Sequence, residues 1–564
     1  MVADQPPGTD PSEWRSGGTS PASPSILMAL KSASWTTTAS PGVRPQMKVT
    51  TQSSQVSVCR SVQVPQSMRS GSSRMHTILH EGCDSQDAAA VGAVPEGGGG
   101  GYRCRVRRPM HALTGVLCLI GLVAACAGSS GISDRPVVGG LLVDADCPGE
   151  EVPTDLTVTC YRLEMADASL SVVVIRATDP TGAPVLHLHG GPGGRAVAER
   201  FRWLAPRSEV LGGHDVILVD QRGGGDSTPS LDCHELDAAP AVGLDAYRSC
   251  RQRLDNAGVD RGQVTVEAIA ADMVSLRRAL GLESWHLYGV SFGTRIALEL
   301  IRIDEGAVES AVLDSPMPPE VGAYDDLPVG VLGALERLDE GCRAVAACPE
   351  GLVEPLRSVL ADLADRPVAV TTFSGEAVIY DDVRFARLLT NALASPVGPV
   401  LVRQAIPLAA GNRLAEAVAR LGEVAATGRS AGDPVSEGAQ LSSECADEVP
   451  FNTMTTTDTG DPILDAVSGA VNEVRALCAL WDVPASPRSV DLATSSDVPV
   501  LILSGHLDPI TPVEWARRLA AGLGNATLVE HREWTHVPSM SDPCAAHILA
   551  GFLGGDIPAT PPDC

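Results

Sequence analysis

The stretch S-W-H-L-Y-G-V-S-F-G-T-R-I at 284–296 decides how this chain folds. Trp285–Tyr288 is a short, largely apolar and aromatic run, the mark of a strand buried on both faces. After Gly293 the apolar positions Ile296, Ala297, Leu300 and Ile301 recur at helical spacing. Ser291 therefore lies in a sharp turn from strand to helix. Glycines two before and two after it leave room for a strained backbone, and the turn offers the hydroxyl at the strand tip beside helix N-terminal amides. The same pentapeptide also arises as an ordinary loop in a chain with 56 glycines, so the reading depends on whether partners for the serine exist.

Outward from this turn, short apolar runs alternate with helical stretches. Strands are expected at Leu170–Ile175, Pro184–His189, Asp215–Asp220, Trp285–Gly289, Ser310–Asp314, Val498–Ser504 and Ala526–His531, with a helix over Glu267–Leu280. Such alternation predicts an α/β fold, a mostly parallel sheet with helices on both faces and sites at the carboxyl ends of its strands. Those ends hold the informative residues. H-G-G-P-G-G at 189–194 shapes backbone rather than core, and its amides, at Gly191, join that of Phe292 as an expected oxyanion hole. His187 and His189 read as core or loop-bracing residues, since no carboxylate completes a metal site with them. D-Q-R-G-G-G-D-S at 220–227 admits two readings, a buried Asp220–Arg222 pair or a solvated turn. Asp508 follows the strand V-P-V-L-I-L, where a carboxylate can turn towards an imidazole. His531 continues the last strand, whereas His536 lies in the loop beyond it and is the expected base. Ser291, Asp508 and His536 occur in the chain order of α/β-hydrolases.

H-G-G-P-G-G, D-Q-R-G-x-G-x-S, G-V-S-F-G-T and G-x-x-D-x-x-T-P together resemble the proline iminopeptidase and tripeptidyl aminopeptidase family of α/β-hydrolases, over most of 140–564. The resemblance implies Ser291 as nucleophile, Asp508 as acid and His536 as base. Phe292 replaces the family's tyrosine, and Thr535 replaces the glycine before the histidine, which bears on the geometry of that loop. Core segments are expected at 136–315 and 496–564. The intervening 316–495 has helical spacing in Val331–Leu338, Leu352–Leu363 and Val383–Leu393 and is expected to form a helical cap inserted between nucleophile and acid. Within it, S-S-E-C-A-D-E at 442–448 brings Glu444, Asp447 and Glu448 next to Cys445. These carboxylates read either as solvated surface or as the site that takes a substrate ammonium, and the family's C-x-D matches Cys445 and Asp447. The expected partner is a peptide with a free N-terminus; an ester hydrolase on the same scaffold and an inactive binding protein are the rivals. The complete triad disfavours the inactive form.

A net charge of −27 argues against nucleic acid, which requires clustered cations. No phosphate or dinucleotide motif is completed, no cysteines form zinc knuckles, and no cofactor or metal is expected. Residues 1–105 are rich in Ser, Thr, Pro and Gly, and read as disordered or as a misassigned gene start. From 106, two arginines precede the apolar run Ala112–Cys126, which is too short for a comfortable span and has the form of a secretory signal. Its end, V-A-A-C, resembles a bacterial lipobox, implying lipidation of Cys126 and export, with membrane contact through that anchor alone or release outside the cell. The ten later cysteines fall into five close sequential couples expected to pair as disulfides: Cys147–Cys160, Cys233–Cys250, Cys342–Cys348, Cys445–Cys478 and Cys544–Cys564. The export reading is checked by Cys126→Ser, which is expected to block signal processing and to move the protein out of the detergent phase. Normal processing of that variant, or peptides from 1–105 in the natural protein, would contradict it.

Overall fold

The computed structural model describes residues 140–556 apart from 150–155, 205–209, 211–212, 237–243, 346–347, 349, 372–374, 376, 429–434 and 454–457. The expected extension, signal segment and Cys126 therefore lie outside the described residues.

Strands β1 (Leu141–Asp144), β2 (Val158–Glu164), β3 (Ser169–Ile175), β4 (Val185–Leu188), β5 (Val216–Val219), β6 (Trp285–Val290) and β7 (Val308–Asp314) enter one sheet. A separate hairpin of β8 (Val368–Thr371) and β9 (Ala377–Tyr380) follows, and β10 (Val500–Gly505) and β11 (Ala526–His531) complete the main sheet. Its order is β1-β2-β3-β5-β4-β6-β7-β10-β11. The pairs from β5 through β11 are parallel, and β1, β2 and β3 join antiparallel at one edge. The expected central strands appear within a residue or two of their predicted limits. β1, β2 and the β8–β9 hairpin were not anticipated.

Alternation explains the uninterrupted apolar runs. Along β5, Val216 and Leu218 enter the hydrophobic cluster on one face of the sheet, while Ile217 and Val219 enter that on the other. Both faces are covered, so every position must be apolar. β2 differs: its sequence V-T-C-Y-R-L-E is only half-buried, with Cys160 and Leu163 alone fully inside.

Chain order places the site. From β4 the chain passes to β5 on one side, and later to β6 on the other, so the loops after these three strands meet where the winding reverses. Such a switch point leaves a crevice at the strand ends. Between β7 and β10 the chain forms helices, including Ala323–Ala344, Val353–Asp365, Asp382–Leu393, Glu437–Ser443 and Pro462–Trp481. This segment meets the strand ends directly. Val435 bridges Gly194, and the Ser436 amide donates to the Gly193 carbonyl at 3.0 Å.

Four of the five expected cysteine couples are disulfides: Cys147–Cys160, Cys233–Cys250, Cys342–Cys348 and Cys445–Cys478. Cys544 is also disulfide-bonded, while Cys564 lies outside the described residues. Among the described residues no helix is long and apolar enough to cross a membrane. Cys233, Glu235 and Cys250 cluster at metal-ligand distances, but the two thiols are consumed by their own disulfide. The Cys445–Cys478 bridge closes a separation of 33 residues and ties the acidic turn to the helix Pro462–Trp481. Replacing both cysteines with alanine is expected to lower unfolding free energy by about 2–4 kcal/mol in a denaturant titration; an unchanged midpoint would contradict that role.

Candidate active site

The glycines around Ser291 are dictated by contact. A methyl group on Gly293 would stand 1.9 Å from the Leu188 carbonyl oxygen, and one on Gly289 would stand 2.6 Å from that of Gly293. The helix Phe292–Asp304 can therefore begin hard against the end of β4 only if both positions lack a Cβ. The price of the turn falls on Ser291, whose φ of 53° lies in a region that L-residues seldom adopt. Ser291 occupies the position of a helix cap yet makes no capping bond, and its buried Oγ has no hydrogen-bond partner. Phe292, the first residue of the helix, has an amide for which the helix itself offers no acceptor. A methyl on Gly190 would come within 3.0 Å of the Ser291 Cβ, so the glycine loop after β4 packs on the serine. Gly191, next in that loop, has a φ of 121°.

Asp508 and His536 meet. The imidazole Nδ1 and the carboxylate Oδ2 are 2.8 Å apart, which assigns the proton to Nδ1 and leaves Nε2 as the basic nitrogen. Asp508 is completely buried and also accepts from the Ile510 and Thr511 amides and the Thr511 hydroxyl. Burial alone would raise this carboxyl, but the facing His536 and the bonds from Thr511 outweigh it and hold the group below the usual carboxylate range. Thr535 does not disturb the contact. Room comes instead from Gly505, where a methyl would strike the Trp534 and Thr535 carbonyls at 2.2 and 2.6 Å. His531 remains on β11, tilted against Trp534 with ring centroids 5.1 Å apart.

Residues missed in the sequence tie the Ser291 turn to the loop that carries His536. Asp314 ends β7; its carbonyl accepts the Ser291 amide at 2.9 Å, and its carboxylate accepts the amide and hydroxyl of Ser539. Ser315 accepts the Val537 amide at 2.8 Å, and Tyr288 shares a 2.6 Å bond with Ser539. The strand ends beneath the serine thus grip the chain on the far side of His536. Burial pushes the Asp314 carboxyl up to about 7, despite the Ser539 bonds. A carboxylate at or shortly after the end of an apolar strand is the available signal: Asp508 lies three residues past β10, and Asp314 is the last residue of β7.

The D-Q-R turn is buried rather than solvated, and its two charges do not pair. Arg222 makes a bidentate contact with Asp272 and a further one with Asp167. Asp220 instead accepts the Val197 and Asp226 amides, fixing the loops around the site.

The carboxylates at 444–448 are all buried, which overturns the surface reading. Three different environments separate them. Asp447 accepts from the Val266 amide and the Ser443 and Ser486 hydroxyls. Glu448 pairs with Arg295 in the second turn of the nucleophile helix, and accepts the Ala323 amide. Both are saturated by protein donors. Glu444 receives the Gln440 amide at 2.8 Å and lies against the buried Tyr324 hydroxyl, although neither that hydroxyl nor the second carboxyl oxygen completes a hydrogen bond of normal length. Burial raises the Glu444 carboxyl to about 8. The Val449 amide bonds the Glu444 carbonyl, five residues back, so the helix widens here into a π-turn, a distortion common at functional sites.

Comparison with known proteins follows the same division. The model of the α/β hydrolase fold matches residues 183–339, and that of TAP-like proteins matches residues 465–564. A probable proline iminopeptidase of Streptomyces coelicolor is 30% identical over 135 residues, covering 24% of this chain and 33% of that protein. The chain thus matches about a third of the length of such iminopeptidases. Carboxylesterase B of Mycobacterium tuberculosis is 26% identical over 449 residues, covering 70% of this chain and 82% of that protein. Among solved structures, a serine hydrolase from Cycloclasticus zankles covers 71% of this chain and 99% of its own at 15% identity, with a TM-score of 0.33. With the elbow, the glycine loop and the C-terminal region in place, the chain has the α/β-hydrolase fold and is similar to proline iminopeptidases and TAP-like proteins.

Proposed function

We propose that this hydrolase is an exported serine aminopeptidase that releases short N-terminal fragments through an acyl-enzyme. The observation that carries the chemistry is the buried 2.8 Å contact of His536 with Asp508, on loops held to the strained Ser291 elbow. His536 Nε2 takes the Ser291 proton as Oγ attacks the scissile carbonyl. The Gly191 and Phe292 amides receive the oxyanion. His536 then gives its proton to the leaving amine, and water, deprotonated by the same nitrogen, releases the acyl group. Asp508 keeps its negative charge throughout, holding the imidazole tautomer and stabilising the imidazolium. Disulfides are consistent with an extracellular setting, and attachment through Cys126 belongs to the same proposal.

The preference for a free amine rests on Glu444. A buried carboxyl with one oxygen unmatched is a costly arrangement that an incoming ammonium would relieve. Asp447 and Glu448, with full sets of protein donors, are assigned to holding the segment in place. The extended similarity to Carboxylesterase B favours a second reading, in which the same machinery cleaves carboxylic esters.

Three variants test the chemistry. Ser291→Ala and His536→Ala are each expected to lower kcat by about 10⁶ because they act as a unit, and Asp508→Asn by about 10⁴. If His531→Ala rather than His536→Ala abolished fluorophosphonate labelling, the base assignment would be wrong. The amine anchor makes a separate prediction about pH. Free Glu444 stays protonated until about pH 8, and a peptide amine loses its proton near the same value, about 8. Binding requires the carboxylate and the ammonium together. The ratio of kcat/KM for a free-amine peptide to that for a neutral ester should therefore pass through a maximum near pH 8. Glu444→Gln should flatten this ratio and lower peptide kcat/KM by about ten- to a hundredfold, sparing the ester. A flat ratio in the wild type, or equal losses on both substrates, would favour the esterase.

A further inference from the structure

Glu444 is not alone in lacking a partner. Ser436, Gln440 and Glu444 follow one another at intervals of four along the helix Glu437–Ser443 and its ends, so they share one helical face. All three are buried, at 0%, 1% and 3% exposure, and each has a side-chain oxygen with no hydrogen bond: Ser436 Oγ, Gln440 Oε1 and Glu444 Oε2. Such atoms are rare in native interiors, and three in register is not expected of a packing helix. Ser436 is a helix cap whose hydroxyl makes no capping bond, so its side chain is withheld from the role that serine ordinarily fills there. Gln440 donates its Nε2 to Glu444, which fixes the amide orientation and leaves Oε1 as an acceptor.

The row starts at the site. Ser436 donates its own amide to Gly193, and a methyl on Gly193 would touch Ala439 at 2.9 Å. The same glycine loop packs on Ser291 through Gly190. From Ser436 to Glu444 the helix rises about 12 Å, at roughly 1.5 Å per residue. Gln440 Oε1 accepts, the Ser436 hydroxyl can accept, and Glu444 accepts once it is ionised, as it is when paired with an ammonium, so a row of donors complements this line. An extended peptide N-terminus has that chemistry, with backbone N–H groups ending in an ammonium.

We propose that Gln440 and Ser436 form a substrate-binding row that accepts hydrogen bonds from the backbone N–H groups of the residues on the N-terminal side of the scissile bond, leading to the ammonium at Glu444. The row selects unsubstituted peptide backbone over N-alkylated backbone. This rests on the aminopeptidase reading, and the two can fail separately. Ser291 and the row are all buried.

The test uses the full chain and a set of chromogenic peptide anilides with a free N-terminus. In the set each amide between the N-terminus and the scissile bond is methylated in turn; an N-acetyl peptide and a neutral p-nitrophenyl ester complete it. For at least one amide, methylation is expected to lower wild-type kcat/KM about tenfold, the loss of one accepted hydrogen bond. Gln440→Met, close in size but without an acceptor, is expected to lose about tenfold on the unmethylated peptide and less than about twofold more on methylation. Its loss of the donor to Glu444 weakens methylated and unmethylated peptides alike, so the coupling isolates Oε1. Ester hydrolysis should fall far less than peptide hydrolysis, and the thermal midpoint should drop because buried Glu444 loses its donor, so rates are compared at a temperature where both proteins are folded. Ser436→Ala serves as the second variant should Gln440→Met fold poorly. Equal sensitivity to methylation in wild type and both variants would overturn the row. Equal wild-type turnover of acetylated and free peptides would overturn the amine anchor instead, while the methylation coupling would still decide the row.

Discussion

The contact of Gly293 with the carbonyl of Leu188 is the constraint on which the rest of the site depends. With no side chain at 293, the nucleophile helix starts directly against the end of β4, and the turn before it must be completed by Ser291 at positive φ. That placement sets the serine beside the glycine loop that leaves β4, where Gly190 also permits a close approach. Nucleophile and oxyanion loop are thus one packing problem solved by three glycines. Strain at Ser291 has company: Ser315 and Val537, the two residues joined by a hydrogen bond across the base of the site, also have positive φ. Val537 is β-branched, for which this conformation is a true outlier. Strain of about 1–3 kcal/mol at each such residue persists only where surrounding contacts over-determine the backbone, and here Asp314 and Ser539 supply them.

The acidic turn of the inserted segment shows how one run of similar residues is divided by environment. Asp447 caps the amide of Val266 on a neighbouring helix, Glu448 neutralises Arg295 behind the nucleophile, and Glu444 is left without sufficient donors. Removing the first two would uncouple the segment from the core, since each joins elements far apart in the chain. Glu444 holds nothing together in this way: its one completed bond comes from Gln440, one turn earlier on the same helix. Expendability for the fold, with the high cost of burying it, is the ground for the role we propose for Glu444.

Most of the sheet was legible because its central strands are buried on both faces, and a double burial demands continuous apolar runs such as V-I-L-V. β1 and β2 escaped notice because their positions are mixed: β2 carries Arg162 and Glu164 among its apolar residues, and only two of its side chains are fully buried. β8 and β9 are four-residue strands with Val368 and Ile379 exposed, so no alternation announces them. Ser291, Asp508 and His536 were readable because each follows such a run, and the turn chemistry around them is local. Asp314 was overlooked although it ends the apolar run of β7, since its partners at 539 and 291 are distant in sequence. Arg222 could not be assigned for a related reason: its true partner, Asp272, is on a helix fifty residues away. The burial of Glu444, Asp447 and Glu448 was equally hidden, for in a chain of charge −27 acidic residues are common and only tertiary contacts distinguish a core carboxylate from a surface one.

The central claim is that the N-terminal part of a peptide becomes covalently attached to Ser291. It is tested most directly by acid-quenching the enzyme during turnover of a free-amine peptide anilide and mapping the modified residue by mass spectrometry. The account predicts an adduct with the mass of the N-terminal acyl fragment on the proteolytic peptide containing Ser291, and none in Ser291→Ala. An adduct on another residue, or a burst of anilide release with Ser291 unmodified at every quench time, would contradict it.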